Sequence, residues 1–328
     1  MIPVDSQRVS ASELQPEHGN LAENAVLRRL SDNWPRRAAV KRSEPDLDDL
    51  FEPTRPDYPE RLLPFRSHPR YATFSQSTRD RLLSWAWIAF NKNVMDIEQH
   101  VVNPGFALLA NGVFETGLGE PAVAALVQAM VDEQYHTLLH FKANRVTRHQ
   151  RRASMPESAL PLAHKARLHR ERLGAASEPW QRDLVSLAFT TVAEVSINAY
   201  LNLIADDEDI QPINRAVATL HNRDEYCHSS IVVEIAKAAF QRLPPEQRRF
   251  FLTALVDGLE AFSVNDYTTW YRILELVEIP DGRKILDEVQ TDPSRKRLLQ
   301  DFSGLHRLFQ EMGVLDQITF DWSTVSIA

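Results

Sequence analysis

Two Glu-x-x-His motifs occur in this chain, Glu133-Gln134-Tyr135-His136 and Glu225-Tyr226-Cys227-His228. On a helix each residue turns about 100° from the last, so a Glu and a His three positions apart point the same way. Each motif follows a stretch with one Glu in apolar surroundings, Glu98 after "NVMDI" and Glu194 inside "TTVAEVSINAYL". The single Glu and the motif lie 35 residues apart in the first half (98 to 133) and 31 in the second (194 to 225). One Glu-x-x-His carries little information alone. Two of them on separate helices, each preceded by a helix with an inward Glu, form the pattern of carboxylate-bridged di-iron and di-manganese bundles.

Charge supports that chemistry. Four buried carboxylates would have to protonate or move apart without cations, and two divalent ions cancel their charge. The competing reading is surface acids with hydrogen-bonded core histidines, and Glu is rarely buried without a partner. Carboxylate oxygen with imidazole nitrogen suits iron or manganese.

His221 lies one turn before Glu225 on the same stripe, where it is either a third imidazole ligand or a hydrogen-bonded core histidine. The residues alone leave both open. His140, one turn beyond His136, reads as a packing or hydrogen-bonding neighbour, and His100 lies nearly opposite Glu98. An acid precedes each motif, Asp132 and Asp224. Metal-bound imidazole usually donates its other N–H to a carboxylate or carbonyl, so these two acids are expected to orient ligand histidines, with those of the opposite half as candidates. "DDED" at 206–209 reads as a solvated turn, and Cys227 points off the metal stripe with no chemistry assigned.

The elements that must carry these residues are long helices. "STRDRLLSWAWIAFNKNVMDIEQHVVN" opens with Ser77 and Asp80 in capping-box spacing and runs to Asn103-Pro104-Gly105. A second begins at Glu120-Pro121 and ends basic, as the helix dipole prefers. A third starts at Ser177 with Pro179 in its first turn, and a fourth runs from Pro212 to Pro244-Pro245. A fifth is predicted from Pro245 to about Glu275, with shorter helices beyond. No run alternates as a strand would. The expectation is an all-α, ferritin-like four-helix bundle over residues 71–328. Residues 1–70, rich in proline, read as an extended arm with short helical turns, laid on the body through Trp34, Tyr58 and Phe65. The basic stretch "WPRRAAVKR" at 34–42 reads as a surface or subunit contact.

Composition narrows the function classes. The 328 residues carry a net charge of −8, which argues against nucleic acid as a partner. One cysteine permits no internal disulfide and suits a reducing cytoplasm. "MIPVDSQRVS" lacks a secretory core, and no apolar run approaches the roughly 20 residues needed to cross a bilayer. A soluble cytoplasmic protein is expected.

Longer stretches carry a resemblance. "MVDEQYHT" at 130–137, "AEVSINAYL" at 193–201 and "LHNRDEYCHSSIVVEI" at 220–235 are similar to the p-aminobenzoate N-oxygenase family of ferritin-like di-iron enzymes. So are "WPRRAAV" at 34–40, "PDYP" at 56–59 and "DFSG" at 301–304. The resemblance covers residues 25 to 322. It implies seven metal ligands, Glu98, Glu133, His136, Glu194, His221, Glu225 and His228, and so favours His221 over His140. It also implies two irons, dioxygen as co-substrate, oxidation of an amine nitrogen to hydroxylamine and onward to nitroso or nitro, an external electron donor and a homodimer, in secondary metabolism.

One departure bears on the substrate. Near Glu98, where a p-aminobenzoate enzyme is expected to present an Arg to the substrate acid, this chain has Asn93 with Lys92 beside it. Ammonium and guanidinium are not equivalent carboxylate partners. An amine without a free acid, such as an amino acid tethered as a thioester to a carrier protein, becomes a candidate. The alternatives on the same bundle are a di-metal oxidase or C–H hydroxylase, and a non-catalytic iron-storage or metal-sensing protein.

Overall fold

The computed structural model describes residues 21–291 and 301–322. The reading of the N-terminal ten residues as lacking a secretory core lies outside them. No β-strand occurs among the described residues.

The first described element is a helix, α1 (Leu21–Arg37), inside the segment the sequence reads as an extended arm. Asn24 and Leu27, both buried, and Leu30 and Trp34 recur at helical spacing and set its inner face. Pro35 falls in its last turn, where few hydrogen bonds remain to be lost. From residue 38 to 75 the chain lies on the body in short 3-10 turns, with Tyr58, Phe65 and Tyr71 buried. Asp57 fastens it: its carboxylate is 3.0 Å from Arg151, although burial still pushes its pKa up.

The long helices follow. Helix α2 (Gln76–Ile97) is capped by Ser75, whose hydroxyl accepts the Thr78 N–H at 3.1 Å, two residues ahead of the Ser77 cap expected. It continues through a π-helical turn, Glu98–Val102, into α3 (Asn103–Ala110), so Asn103-Pro104 does not end it. Pro104 brings no N–H, and neighbouring helices serve nearby carbonyls: Thr190 donates to Val101 and His169 to His100, each at 3.0 Å. Gly105 permits this approach, because a Cβ there would meet the Thr190 hydroxyl at 2.0 Å.

Helix α4 (Glu120–Gln150) and a shorter α5 (His164–Ala175) come next. In α6 (Pro179–Ala205) the cap is Glu178, not Ser177. Gln181 reaches back to accept both of their N–H groups in a capping box. Helix α7 (Pro212–Arg242) starts at a proline and stops before Pro244. The predicted fifth helix is two, α8 (Pro245–Ser263) and α9 (Thr268–Leu276). Asp266 accepts the Thr268 N–H at 2.9 Å and offers the backbone a turn in place of continued helix. Helices α10 (Gly282–Gln290) and α11 (Ser303–Glu311) complete the described chain.

Helices α2, α4, α6 and α7 form the bundle that the fold class required. Against the expectation from sequence, helix α6 is by length and composition apolar enough to cross a membrane, and most of its apolar stretch is buried inside the bundle. Two apolar clusters fill the ends. One gathers Phe106, Leu126, Phe189, Val192 and Ile235 with α8 and α11; the other gathers Trp87, Phe90, Leu139, Leu201 and Val217 with α9 and α10. Between Ala129 and Leu139, and between Val217 and Ile231, the helices pass from one cluster to the other. The Glu-x-x-His motifs sit in that gap.

Candidate metal centre

Each of the seven residues named by motif and resemblance is at most 4% exposed. Helix α4 contributes Glu133 and His136, α7 contributes His221, Glu225 and His228, α6 contributes Glu194, and Glu98 is the first residue of the π turn. Their donor atoms fall into two groups, each with atoms within 4.8 Å of one another: Glu98, Glu133, His136, His221 and Glu225, and Glu133, Glu194, Glu225 and His228. Glu133 and Glu225 belong to both.

The inward atoms lack ordinary partners. Glu98 Oε2 and Glu194 Oε2 are buried and make no hydrogen bond, and Glu133 Oε1 and His228 Nδ1 face each other at 2.5 Å. Leaving such groups unsatisfied is costly. His136 Nδ1 lies 3.1 Å from Glu133 and 3.4 Å from Glu225, His221 Nε2 lies 2.9 Å from Glu225 and 3.7 Å from Glu98, and His228 Nδ1 lies 3.8 Å from Glu194. A donor set of four carboxylates and three imidazoles converging this closely fits two divalent cations with two shared carboxylates.

Protonation of the protein alone makes the same point. Burial raises the Glu98 and Glu194 carboxyls well above the usual range, and neighbouring carboxylates push the same way. Burial also acts to raise Glu133 and Glu225. The His228 and His136 charges reverse that at Glu133, and hydrogen bonds from His221 and His228 reverse it at Glu225. Burial opposes charge on His136 and His228, yet Glu133 and its neighbours raise His136 to about 10 and His228 well above its ordinary value. Without cations, protons take the role of positive charge.

The outer imidazole nitrogens have defined partners. His136 Nε2 is 3.3 Å from Asp224, and His228 Nε2 is 3.1 Å from Asp132. His221 Nδ1 instead faces His140 Nε2 at 2.9 Å, and His140 is in neither donor group. His100 is exposed and outside the cluster.

The stretch 34–42, read from its charge as a surface or subunit contact, leaves Arg36, Lys41 and Arg42 exposed but turns Trp34, Arg37 and Ala39 toward the centre. Trp34 donates its indole N–H to Asp132 at 2.9 Å, and the Ala39 backbone N–H donates to Asp224 at 3.1 Å. Arg37 stands between them, 3.5 Å from Asp224 and 3.7 Å from Asp132. The arm thus closes over the carboxylates behind the histidines. Trp34 was expected only to pack the arm on the body, and Arg37 and Asn91, the latter 2.7 Å from His140, are the residues that motif reasoning passed over. Asn91 sits two turns before Glu98 on the same stripe, and that spacing was the available signal.

Lys92 and Asn93 line a cavity of about 370 Å³ with Tyr58, Phe90, Lys165 and Tyr200. Lys92 is committed, its ammonium 2.5 Å from Asp96. The Lys165 ammonium lies 5.3 Å from the Phe262 ring and makes no ion pair within 4.0 Å among the described residues. Burial lowers its pKa to about 8. None of the seven donors lines the cavity. Its inner wall is Phe90, whose ring meets Tyr200 edge-on at 5.2 Å and His140 at 5.9 Å.

Comparison with known proteins adds independent findings. The family model described as P-aminobenzoate N-oxygenase AurF matches residues 20–313. The chain is 36% identical over 302 residues to the 4-aminobenzoate N-oxygenase of Streptomyces thioluteus, covering 91% of this chain and 89% of that one.

Proposed function

This chain belongs to the p-aminobenzoate N-oxygenase family and is an oxidoreductase, and from that premise we propose that it is a di-iron enzyme that oxidises a small-molecule amine at nitrogen with dioxygen. The observation that carries the metal reading is the pair of overlapping donor groups sharing Glu133 and Glu225. In this reading Glu98, His136 and His221 complete one position, and Glu194 and His228 complete the other. Irons held there would supply the place where dioxygen is reduced, relaying electrons from an external reductant. Manganese meets the same donors, and iron is the reading adopted for dioxygen chemistry.

The first oxidation inserts one oxygen atom between nitrogen and hydrogen, giving a hydroxylamine. The other oxygen leaves as water, with two electrons and two protons from an external reductant. A second insertion gives a dihydroxylated nitrogen that loses water to the nitroso compound, and a third oxygen atom added at that nitrogen gives nitro. Each round uses one dioxygen, two electrons and two protons and releases one water from dioxygen. The protein's part is to hold the donors against their own repulsion, to keep the ligand nitrogens unprotonated, and to admit the amine through the cavity beside Asn93. Phe90 and Tyr200 exclude bulk water along that wall.

The substrate is an amine, and the cavity supports one lacking a free acid beside Glu98. Asn93 is uncharged there and Asp96 already matches Lys92. A thioester-tethered amino acid in a secondary-metabolite pathway fits that end, whereas Lys165 on the other wall would suit an acid. A homodimer is supported by α4: Val123, Val127, Val131, Leu138 and Phe141 share one stripe, each 41% to 50% exposed, opposite the metal-facing side.

Aerobic turnover with labelled dioxygen tests the function. Iron-loaded, reduced protein is given free aminobenzoates and amino-acyl thioesters, and products are weighed. An N–O bond carrying label supports the proposal; labelled carbon hydroxylation, or no label in any product, refutes it.

A further inference from the structure

Of the three imidazoles in the cluster, His221 is the one whose outer nitrogen meets no carboxylate. It begins a file of buried polar side chains across the bundle. His221 Nδ1 is 2.9 Å from His140 Nε2, and His140 Nδ1 is 2.7 Å from Asn91 Oδ1. The Asn91 amide donates to Asn144 Oδ1 at 2.6 Å, and the Asn144 amide donates to Glu157 Oε1 at 3.0 Å. His221, His140, Asn91 and Asn144 are fully buried, while Glu157 reaches the surface beside Arg148 at 2.6 Å.

The far end sets the direction of every link. Burial acts to raise Glu157, but Arg148 outweighs it and keeps the group a carboxylate, which only accepts. Asn144 must therefore present its amide nitrogen to Glu157 and its oxygen to Asn91. Asn91 then presents its nitrogen to Asn144 and its oxygen to His140. His140 Nδ1 must carry a proton. Among the described residues the His140 ring nitrogens meet only Asn91 Oδ1 and His221 Nδ1 and no carboxylate, so a buried cation there would go unpaired; the ring is neutral and its Nε2 bare. Only a His221 protonated at Nδ1 can donate to it. That leaves His221 Nε2 as the nitrogen that faces Glu98 and Glu225 and can meet a cation.

We infer that Asn91, Asn144 and Glu157 act through His140 as positioning residues, fixing the tautomers of His140 and His221 so that His221 Nε2 is presented as a neutral donor toward the metal centre. The link to metal rests on the function proposed above; the tautomers do not. The two sides of the centre then differ in kind. His136 and His228 are backed by carboxylates, which strengthen an imidazole as a donor, and His221 is backed by a neutral file. The cation held with Glu98 and His221 receives less electron density from that ligand than a carboxylate-backed histidine would give.

The test begins with the unaltered, metal-free protein and ¹⁵N-labelled histidine. Long-range nitrogen–proton spectra are expected to show both His140 and His221 protonated at Nδ1. Either residue bare at Nδ1 would overturn the proposal, whether or not the protein binds metal. In Asn91→Leu, His140 loses its acceptor and is expected to revert to the Nε2–H form, and one of two ferrous ions is expected to bind about 10- to 100-fold more weakly. Asn91→Asp keeps an acceptor for His140 and is expected to restore its tautomer. Unchanged tautomers and two tight sites in Asn91→Leu would also overturn it. Absence of ferrous binding by the unaltered protein would instead sink the metal centre itself.

Discussion

His136 on α4 is hydrogen-bonded at its outer nitrogen by Asp224 of α7, 3.3 Å away, and not by the acid beside it in its own helix. Asp132 makes the reciprocal contact with His228. The two halves of the bundle therefore hold each other's imidazoles.

Replacing Asp224 with Asn keeps the shape but removes the charge behind His136. The Asp224→Asn protein is expected to retain metal, with affinity lower by about 10- to 100-fold and slower turnover. Metal titration beside single-turnover kinetics checks this, and unchanged affinity and rate would count against an orienting role.

The two donor groups differ in size, five residues against four. Removing Glu194 takes a donor only from the smaller. Glu194→Ala is expected to bind one ferrous ion tightly per chain in place of two, read by elemental analysis after gel filtration. Two tight ions would show that Glu194 is not a ligand.

The arm's indole is the direct donor to Asp132. Trp34→Phe leaves a buried carboxylate short of a hydrogen bond, at a cost of about 1–3 kcal/mol. Denaturant unfolding of the metal-loaded protein measures it, and protease cleavage within residues 34–42 should accelerate. Equal stability would mean the arm contact contributes nothing.

Four groups hold protons in the metal-free centre: Glu98, Glu194, His136 and His228, all with raised pKa values. Ligands must shed these protons to bind cations, so metal affinity rises with pH and weakens as pH falls. Up to four protons should be released as two divalent ions load, which nearly balances the charge brought in. Proton release on anaerobic ferrous addition is the direct measurement. Release near zero at neutral pH would contradict this protonation pattern.

The α4 stripe predicts its own assembly defect. Val127→Lys with Phe141→Glu places charges on a face that a second copy would cover. Sedimentation should shift from dimer to monomer while the metal content is unchanged, since both residues point away from the centre. A wild-type monomer would remove the dimer from the account.

Much of the centre was legible in the chain because it is local. Three- and four-residue spacings place Glu133 with His136, and His221 with Glu225 and His228, on common helical stripes whatever the helices later pack against. Length, the starting prolines and the apolar runs called the long helices. Caps slipped by a residue or two because Ser75, Ser77, Ser177 and Glu178 compete for nearly equivalent positions. Helix α1 was obscured by the proline and polar composition around it.

The tertiary structure decided what crosses between helices. The chain order holds no sign that Trp34 would meet Asp132, that Ala39 would meet Asp224, or that the line from His221 would reach Glu157. Such contacts depend on how far each helix is rotated about its own axis, and the π turn at Glu98 alters that phase midway along one of them. Local spacing determines which side chains share a stripe; only the packed bundle determines what that stripe faces.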